Sequence, residues 1–419
     1  MPLLQIIHFN KNMINAVYIL LSGIKFELLH IPSETVDHTA IWLPKDEVLI
    51  CGDIVYGSYP SVFTLRGETS RSSHDWYKSI DRLRPLRAKH LIPGHMPPIS
   101  GENEIEIFLT NYRDAIQFLN DQTIRLFNKH VHVDDMVRRI RMPSTLAHLP
   151  YLQELYGTLS WSVRGIHANY SGWFHGEPQE LFPLSEKERA LKVKEMLTEL
   201  KNSHSPVEKM IESSKSNARK AKVHFNRTGA HLYLESQWSL EIANLALLAS
   251  ENGSPEHKRA KAAKVDALKL MAAWSTSINA KYYFLSSAAE MQSSSNQKED
   301  GRGRKALLNN LDMNELMEML PVTIDSEKCD PTALMTVVFY FTDTEKYYAY
   351  ILRNCVMEFI NDDAAINKKH DVKLSMRSQI WRNILTNERG GFGAYMSGDI
   401  VIDGSMMLLK VFLNCLSSD

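Results

Sequence analysis

Ile92-Pro93-Gly94-His95-Met96-Pro97-Pro98 places one histidine at a sharp turn, directly after the short apolar run at residues 89–92. Proline fixes its own φ angle and glycine tolerates angles that other residues avoid, so this stretch predicts a strand that ends in a turn. Ligand sites of α/β layers lie at the edge of the sheet where the strands end. His95 is therefore a candidate metal ligand.

Two carboxylates occupy comparable places earlier in the chain. Glu34 lies in the polar loop at residues 32–39, and Asp53 follows the apolar strand predicted at residues 47–51. Carboxylate oxygen and imidazole nitrogen are both ligands that zinc accepts. If these strand ends meet at one edge of a sheet, Glu34, Asp53 and His95 form a metal site. The alternative role for each of them is to cap a turn.

The length and charge of the chain limit its possible classes. The chain has 419 residues, of which 44% are hydrophobic. This length is too great for one hydrophobic core, so about two or three domains are expected. The net charge of −1 gives no electrostatic footprint for nucleic acid or an anionic membrane. The four cysteines, Cys51, Cys329, Cys355 and Cys415, are far apart and show no CxxC spacing. They predict buried thiols in a reducing compartment inside the cell.

An apolar segment at residues 13–21 resembles a targeting or membrane sequence at first sight. It is too short to span a bilayer, which takes about 20 apolar residues. It also lacks the basic start and the small-residue cleavage site of a signal peptide. A core strand followed by a turn at Ser22-Gly23 is the better prediction, with no membrane span.

The pattern along the chain predicts domains of different kinds. Residues 14–99 alternate short apolar runs with turns, and a helix at residues 73–86 places Trp76, Ile80 and Leu83 on one face, which indicates an α/β layer. A long amphipathic helix is predicted at residues 104–128. Its apolar stripe is Ile107, Phe108, Tyr112, Ile116, Leu119, Ile124 and Phe127.

An all-helical region is expected over residues 102–292, including a helical hairpin around residues 250–255. The apolar faces of this hairpin suit packing against each other and equally against a second subunit. The polar run at residues 293–304 is expected to be a linker. Residues 305–419 then predict an α+β domain with an antiparallel sheet. Its apolar positions line a tunnel for an alkyl or lipid chain or form ordinary core, and residues 390–393 are expected to be a flexible turn.

Several motifs follow one another in a fixed order. They are Ser33-Glu34, Cys51-Gly52-Asp53, Phe63-Thr64-Leu65-Arg66-Gly67, and the runs at residues 91–101, 109–118, 150–158 and 170–174. This series resembles the alkyl sulfatase family of the metallo-β-lactamase superfamily, from about Gly23 to the end of the chain. The resemblance implies a fold of the class α/β plus all-α plus α+β.

The parts implied by the resemblance can be assigned to the chain. The C-terminal half of a metallo-β-lactamase αββα sandwich falls at residues 1–101, a helical dimerisation domain at residues 102–292, and a sterol-carrier-like domain at residues 305–419. The expected partners are a second copy of the chain and a long-chain alkyl sulfate or another lipid-like molecule.

The resemblance also implies a dinuclear zinc centre, with two zinc ions per subunit. Glu34 is then a ligand, Asp53 bridges or completes the site, and His95 binds the second metal. Asp53 is a shorter arm at a position that is typically glutamate in bacterial members. Arg66 matches the basic residue expected to hold the sulfate, and the fork of an arginine suits such an anion.

One departure from the family bears on activity. The His-x-His-x-Asp-His motif, which supplies most ligands of both metals, does not occur before Glu34, and the similar run at residues 130–135 lacks the final histidine. There His132 or Asp134 is expected to cap a helix. The predicted function is an alkyl sulfatase-like zinc hydrolase of long-chain primary alkyl sulfates, impaired in this chain, with under one zinc per subunit. The alternatives are a non-catalytic dimerising lipid-binding protein and a fragment of a longer active sulfatase.

Overall fold

The structure is a computed structural model that describes residues 5–8, 16–64, 71–200, 205–224, 231–275, 277–293 and 302–416. Its internal contacts divide the chain into two units. The first unit combines residues 1–172 with residues 302–419, and the second unit is residues 173–301. The domain boundaries expected at residues 101, 292 and 304 stay predictions.

A mixed sheet of seven strands, hydrogen-bonded in chain order, forms the first layer of the first unit. The strands are β1 (Gln5–His8), β2 (Ala16–Leu21), β3 (Ile24–His30), β4 (Thr39–Leu43), β5 (Val48–Gly52), β6 (His90–Pro93) and β7 (Ile99–Ser100). Only β5 and β6 pair in parallel among them, and a parallel pair needs a long crossover. The crossover contains helix α1 (Ser73–Leu83).

The turn between β2 and β3 confirms one local prediction and corrects another. Ser22 and Gly23 both have positive φ angles, 52° and 82°, which is the geometry of a tight hairpin turn. The prediction of a core strand before this turn is wrong at its end, because Leu20 and Leu21 are exposed. They lie next to the hairpin turn.

Helix α1 buries Trp76, Ile80 and Leu83 as predicted, and Ser72 caps it by accepting a hydrogen bond from the Asp75 backbone N–H. The long helix α2 (Glu102–Asn128) follows β7. Its buried surface is wider than the predicted apolar stripe. Polar side chains are buried as well, among them Arg113, Asp114, Gln117, Asn120 and Asp121, while Ile107 is exposed. A helix that is buried on most sides cannot be recognised from one apolar stripe.

Three shorter helices complete the N-terminal part of the first unit: α3 (Val133–Arg139), α4 (Ser144–Ala147) and α5 (Leu159–Ser171). His132 caps α3, because its Nδ1 accepts a hydrogen bond from the Asp134 N–H at 3.2 Å. This confirms the capping role expected for residues 130–135. Helix α5 begins after Thr158, whose side chain supplies the cap.

The second unit is helical, with α6 (Glu186–Leu200), α7 (Pro206–His224), α8 (His231–Ala249), α9 (Pro255–Trp274) and α10 (Ile278–Gln292). The predicted hairpin is formed by α8 and α9, with Gly253 at a φ of 79° and Ser254 as the cap of α9. Beyond the hairpin turn, the chain is divided into α9 and α10. Ser277 explains the division, because its side chain caps α10.

The remaining elements of the first unit are the five strands of a second sheet and the helices around it. They are α11 (Arg302–Asn310), α12 (Met313–Glu318), β8 (Met335–Phe341), β9 (Lys346–Arg353), β10 (Val356–Asn361), α13 (Asp362–Ile366), β11 (Val372–Met376), α14 (Ser378–Leu385), α15 (Gly391–Met396), β12 (Ile400–Gly404) and α16 (Met406–Cys415). The sheet order is β10-β9-β8-β11-β12. None of the helices in the described ranges has the length and apolar character needed to cross a bilayer.

Two predictions for this part of the chain are wrong. The sheet is not purely antiparallel, because β8 and β11 pair in parallel. A parallel pair needs a long connection, and here the connection contains β9, β10 and α13. Residues 390–393 are not a flexible turn but the start of helix α15, with Gly390 as its cap residue.

A cluster of charged side chains, of which Arg113 and Asp114 are buried, joins α1 and α2 to the five-stranded sheet within the first unit. We call it the Asp114 cluster: Asp81, Arg113, Asp114, Arg353 and Glu358. Asp114 accepts hydrogen bonds from Arg113 Nη1 at 2.5 Å and from Arg353 Nε at 2.7 Å. Arg113 Nε lies 2.9 Å from Asp81, and Arg353 Nη1 lies 2.6 Å from Glu358. Burial opposes the charge of Glu358, but Arg113 and Arg353 lower its pKa to about 2, so it stays ionised.

Candidate functional site

The ends of β3, β5 and β6 bring the three predicted metal ligands to one edge of the first sheet. Asp53 lies at the centre of this group. Its Oδ2 is 3.3 Å from His95 Nε2, and its carboxyl is within hydrogen-bonding reach of the Glu34 carboxyl. The convergence follows from topology, since β5 and β6 are parallel and end together.

Gly94 makes the close approach of Asp53 possible. The Gly94 N–H donates to the Gly52 carbonyl at 3.0 Å, which holds the turn after β6 against the end of β5. A Cβ atom at Gly94 would lie 2.1 Å from Asp53 Oδ1. A side chain at Gly94 would push the Asp53 carboxyl aside, so glycine at this turn lets Asp53 lie beside His95.

An arginine that the sequence analysis missed lies beside Glu34. Arg71 Nη1 is 2.6 Å from Glu34 Oε1 and also donates to the Ser61 carbonyl at 2.8 Å. The two side chains are largely buried, at 5% exposed for Arg71 and 13% for Glu34. A single arginine in front of a helix cap belongs to no recognisable motif. The one feature that could have pointed to Arg71 is its position just after the run at residues 63–67, which is part of the family resemblance.

Burial and charge act in opposite directions on Glu34. Burial raises the pKa of this carboxyl, the Arg71 guanidinium lowers it, and the nearby Asp53 carboxyl raises it again, with a net rise. The Glu34 carboxyl thus has both a cation and another carboxyl as neighbours. Burial raises the pKa of the Cys51 thiol, at the end of β5, to about 12. Cys51 is therefore not a thiolate that could bind a metal ion beside Glu34 and Asp53.

A zinc centre needs more donors than the described part of the chain offers at this edge of the sheet. A catalytic zinc ion takes three protein ligands and a water, and a dinuclear centre takes more. Within the described residues, no group of three or more His, Cys, Asp or Glu side chains is arranged to hold a metal ion. His38 is a neighbour, but its Nε2 lies 3.0 Å from the Cys51 carbonyl oxygen. The side chains of the described residues therefore do not fit the dinuclear centre that the resemblance implied.

The assignments of Glu34, Asp53 and His95 as metal ligands stay predictions, although the structure places the three together. Arg66, the predicted sulfate contact, lies outside the described residues. The apolar positions proposed as a tunnel are mostly core. Val337, Tyr348, Tyr350, Leu352, Met357 and Phe412 are fully buried, whereas Leu334 and Met406 are exposed.

Two clefts lie where α1 meets the five-stranded sheet. One has a volume of about 80 Å³ and the other about 440 Å³. Charged side chains line both, with Lys78, Asp81 and Glu318 shared between them. Phe359 is an apolar member of both linings. Their mixed charge does not suit an alkyl chain.

Three families match successive parts of the chain. Residues 18–95 match the metallo-beta-lactamase superfamily, residues 132–294 match the family described as alkyl sulfatase dimerisation, and residues 302–418 match the family described as alkyl sulfatase C-terminal. The three matches follow the order expected from the motifs.

Similar proteins with known activities cover nearly the whole chain. The linear primary-alkylsulfatase of Pseudomonas sp. (strain ATCC 19151) is 28% identical over 94% of this chain and 72% of its own length. The alkyl/aryl-sulfatase BDS1 of Saccharomyces cerevisiae is 24% identical over 94% of this chain and 57% of its own length. The (R)-specific secondary-alkylsulfatase of Pseudomonas sp. is 23% identical, and the chain covers 56% of it. The chain thus spans little more than half the length of two of these three relatives.

A similar solved structure is the stereoselective inverting sec-alkylsulfatase Pisa1 from Pseudomonas sp. It is 22% identical, and the match covers 98% of this chain and 61% of that chain with a TM-score of 0.42.

Proposed function

We propose that this chain, which belongs to the alkyl sulfatase family of the metallo-β-lactamase superfamily, acts on the sulfate esters of long-chain primary alcohols and cleaves them only weakly. One observation carries the proposal. Asp53 is in contact with both Glu34 and His95, as at the edge of a metal site, yet Glu34 is engaged by Arg71. The substrate class comes from the family and the weakness from the donor set.

The roles of individual residues follow from their chemistry. Glu34, Asp53 and His95 are the proposed ligands, and zinc is the proposed metal because it accepts both carboxylate and imidazole. With one carboxylate held by Arg71, these donors suffice for one weakly bound ion at most. Arg66 is the proposed contact to the sulfate group, since a guanidinium can donate two parallel hydrogen bonds to such an anion.

The other parts of the chain have proposed roles in assembly and in holding the alkyl chain. The second unit carries exposed apolar side chains at Leu248, Ile278 and Tyr282, which supports a homodimer formed through residues 132–294. The helices near the C-terminus expose Phe392 and Met407. These side chains support a binding surface for the hydrocarbon part of an alkyl sulfate or of another lipid-like molecule.

A second candidate is a dimerising protein that binds such ligands without cleaving them. It is favoured by the ion pair between Glu34 and Arg71, which are both largely buried. A carboxylate neutralised by a guanidinium in this way has no need of a metal ion.

Release of sulfate from dodecyl sulfate by the 419-residue chain, with and without added zinc, distinguishes the two candidates. We expect slow hydrolysis that depends on zinc and falls at least about 10- to 100-fold in His95→Ala, since the loss of a group that only orients a metal ligand already has an effect of this size. The matched control is His90→Ala, since His90 begins β6 and its Nδ1 contacts Ser100 Oγ at 2.8 Å, away from Asp53. Binding without any hydrolysis would favour the second candidate. Fast hydrolysis that His95→Ala leaves unchanged would contradict both.

A further inference from the structure

Three of the four cysteines meet in one place, although the sequence separates them widely. We call Cys329, Cys355 and Cys415 the thiol cluster. Cys355 Sγ donates to the Cys329 carbonyl at 3.4 Å, and the thiols of Cys355 and Cys415 are both within hydrogen-bonding reach of the Cys329 thiol. All three side chains are buried, with exposed fractions of 6%, 4% and 1% in chain order. Cys329 is thus a neighbour of both other thiols.

The backbone fixes Cys329 and Cys415 next to each other. Cys415 ends α16, and its carbonyl accepts a hydrogen bond from the Asp325 N–H at 2.7 Å. The next residue, Leu416, forms a β-bridge with Ile324. The Cys329 N–H in turn donates to the Asp325 carbonyl at 3.0 Å. The two cysteines therefore belong to two chain segments that are already joined through Asp325.

Cys355 reaches the cluster from a strained hairpin turn. Asn354 and Cys355 connect β9 to β10, where Arg353 pairs with Val356, and their φ angles are 51° and 55°. This is the geometry of a type I′ turn, whose second central residue is most often glycine. A cysteine at this position holds its thiol against Cys329 in a backbone conformation that side chains disfavour.

We propose that the thiol cluster is a redox-active site that forms a disulfide between Cys329 and Cys415 on reaction with a peroxide. The Cys415 thiolate attacks the O–O bond, which gives a sulfenic acid at Cys415 and a hydroxide that takes up the proton released by the thiol. The Cys329 sulfur then forms the S–S bond as the S–O bond breaks and water leaves. The two sulfurs together lose two electrons, and the peroxide is reduced to two waters.

The choice of Cys415 as the attacking thiol has a physical basis. The neighbouring Cys329 thiol lowers the pKa of Cys415, and burial only partly offsets this effect. The neighbouring thiols of Cys355 and Cys415, together with burial, raise the pKa of Cys329. The thiolate is the reactive form, so Cys415 reacts first and Cys329 resolves the sulfenic acid.

Peptide mapping of the oxidised full-length chain tests this proposal, because the sequence separates the cysteines on different tryptic peptides. Cys329 lies on residues 329–346, Cys355 on residues 354–368, Cys415 on residues 411–419 and Cys51 on residues 46–66. After treatment with hydrogen peroxide and alkylation of the remaining thiols, we expect peptides 329–346 and 411–419 to be joined, lighter by two hydrogen atoms. The four free thiols of the reduced chain should fall to two.

Peptide mapping of the unaltered chain tests the proposal by itself, and two variants test the pairing further. Cys329→Ser should abolish the disulfide, whereas Cys51→Ser should leave it intact, since Cys51 lies at the end of β5 in the other sheet. Four free thiols in the folded, peroxide-treated chain would overturn the proposal. A disulfide from Cys329 to Cys355, or any disulfide that includes Cys51, would overturn the proposed pairing.

Discussion

Asp114→Ala is expected to lower the free energy of unfolding by about 3 to 5 kcal/mol, because it removes the buried carboxylate that Arg113 and Arg353 share. Asp114 is fully buried and accepts hydrogen bonds from Arg113, Arg353 and Asn354. Arg113 is itself 1% exposed, so water cannot replace the lost partner. The same change removes the contacts that hold the turn after β9 against α2.

Urea unfolding of the purified variant measures this loss from the midpoint of the transition. The matched control is Glu327→Ala, which breaks an ion pair with Arg139 in which the two side chains are 52% and 42% exposed. An exposed pair contributes less than about 1 kcal/mol. If the two variants unfold at the same urea concentration, the Asp114 cluster does not stabilise the first unit.

Gly157→Ala is expected to destabilise the chain by about 1 to 3 kcal/mol, the range for a side chain forced into a filled space. A Cβ at this position would lie 2.0 Å from the Pro60 carbonyl oxygen and 2.8 Å from Ser61 Cα, both backbone atoms. The Gly157 N–H also donates to the Tyr59 carbonyl at 3.2 Å. Because Ser61 accepts from Arg71, the shift should also weaken the contact of Arg71 with Glu34.

Gly393→Ala is the control for this change. Nothing lies within 4 Å of a Cβ at Gly393, which is within α15. Alanine in a helix is favoured over glycine by up to about 1 kcal/mol, so this variant should be unchanged or more stable. Thermal unfolding of both variants by circular dichroism provides the comparison. Equal melting temperatures for Gly157→Ala and the unaltered chain would show that the loop at residues 59–61 can move aside freely.

Local signals explain most of what the sequence predicted about the fold. The turn at Ser22-Gly23, the cap at His132 and the hairpin at Gly253 depend on residues a few positions apart, and all three are confirmed. The parallel pairing of β8 with β11 was missed because it joins strands that are separated by β9, β10 and α13. Sequence periodicity carries no information about which distant strands pair.

The site shows the same limit. The family resemblance selected Glu34, Asp53 and His95, and the structure places them together. The resemblance did not predict that Arg71 lies beside Glu34. The buried polar side of α2 and the thiol cluster were also missed. Each depends on contacts between segments that are far apart in the chain, which composition and spacing do not encode.

The zinc content of the purified 419-residue chain most directly measures whether Glu34, Asp53 and His95 form a complete metal centre. After equilibration with zinc and removal of the free metal, we expect fewer than one zinc ion per chain. The reason is that Arg71 engages Glu34, and that no three-donor group occurs in the part of the chain that the structure describes. Two tightly held zinc ions per chain would contradict this.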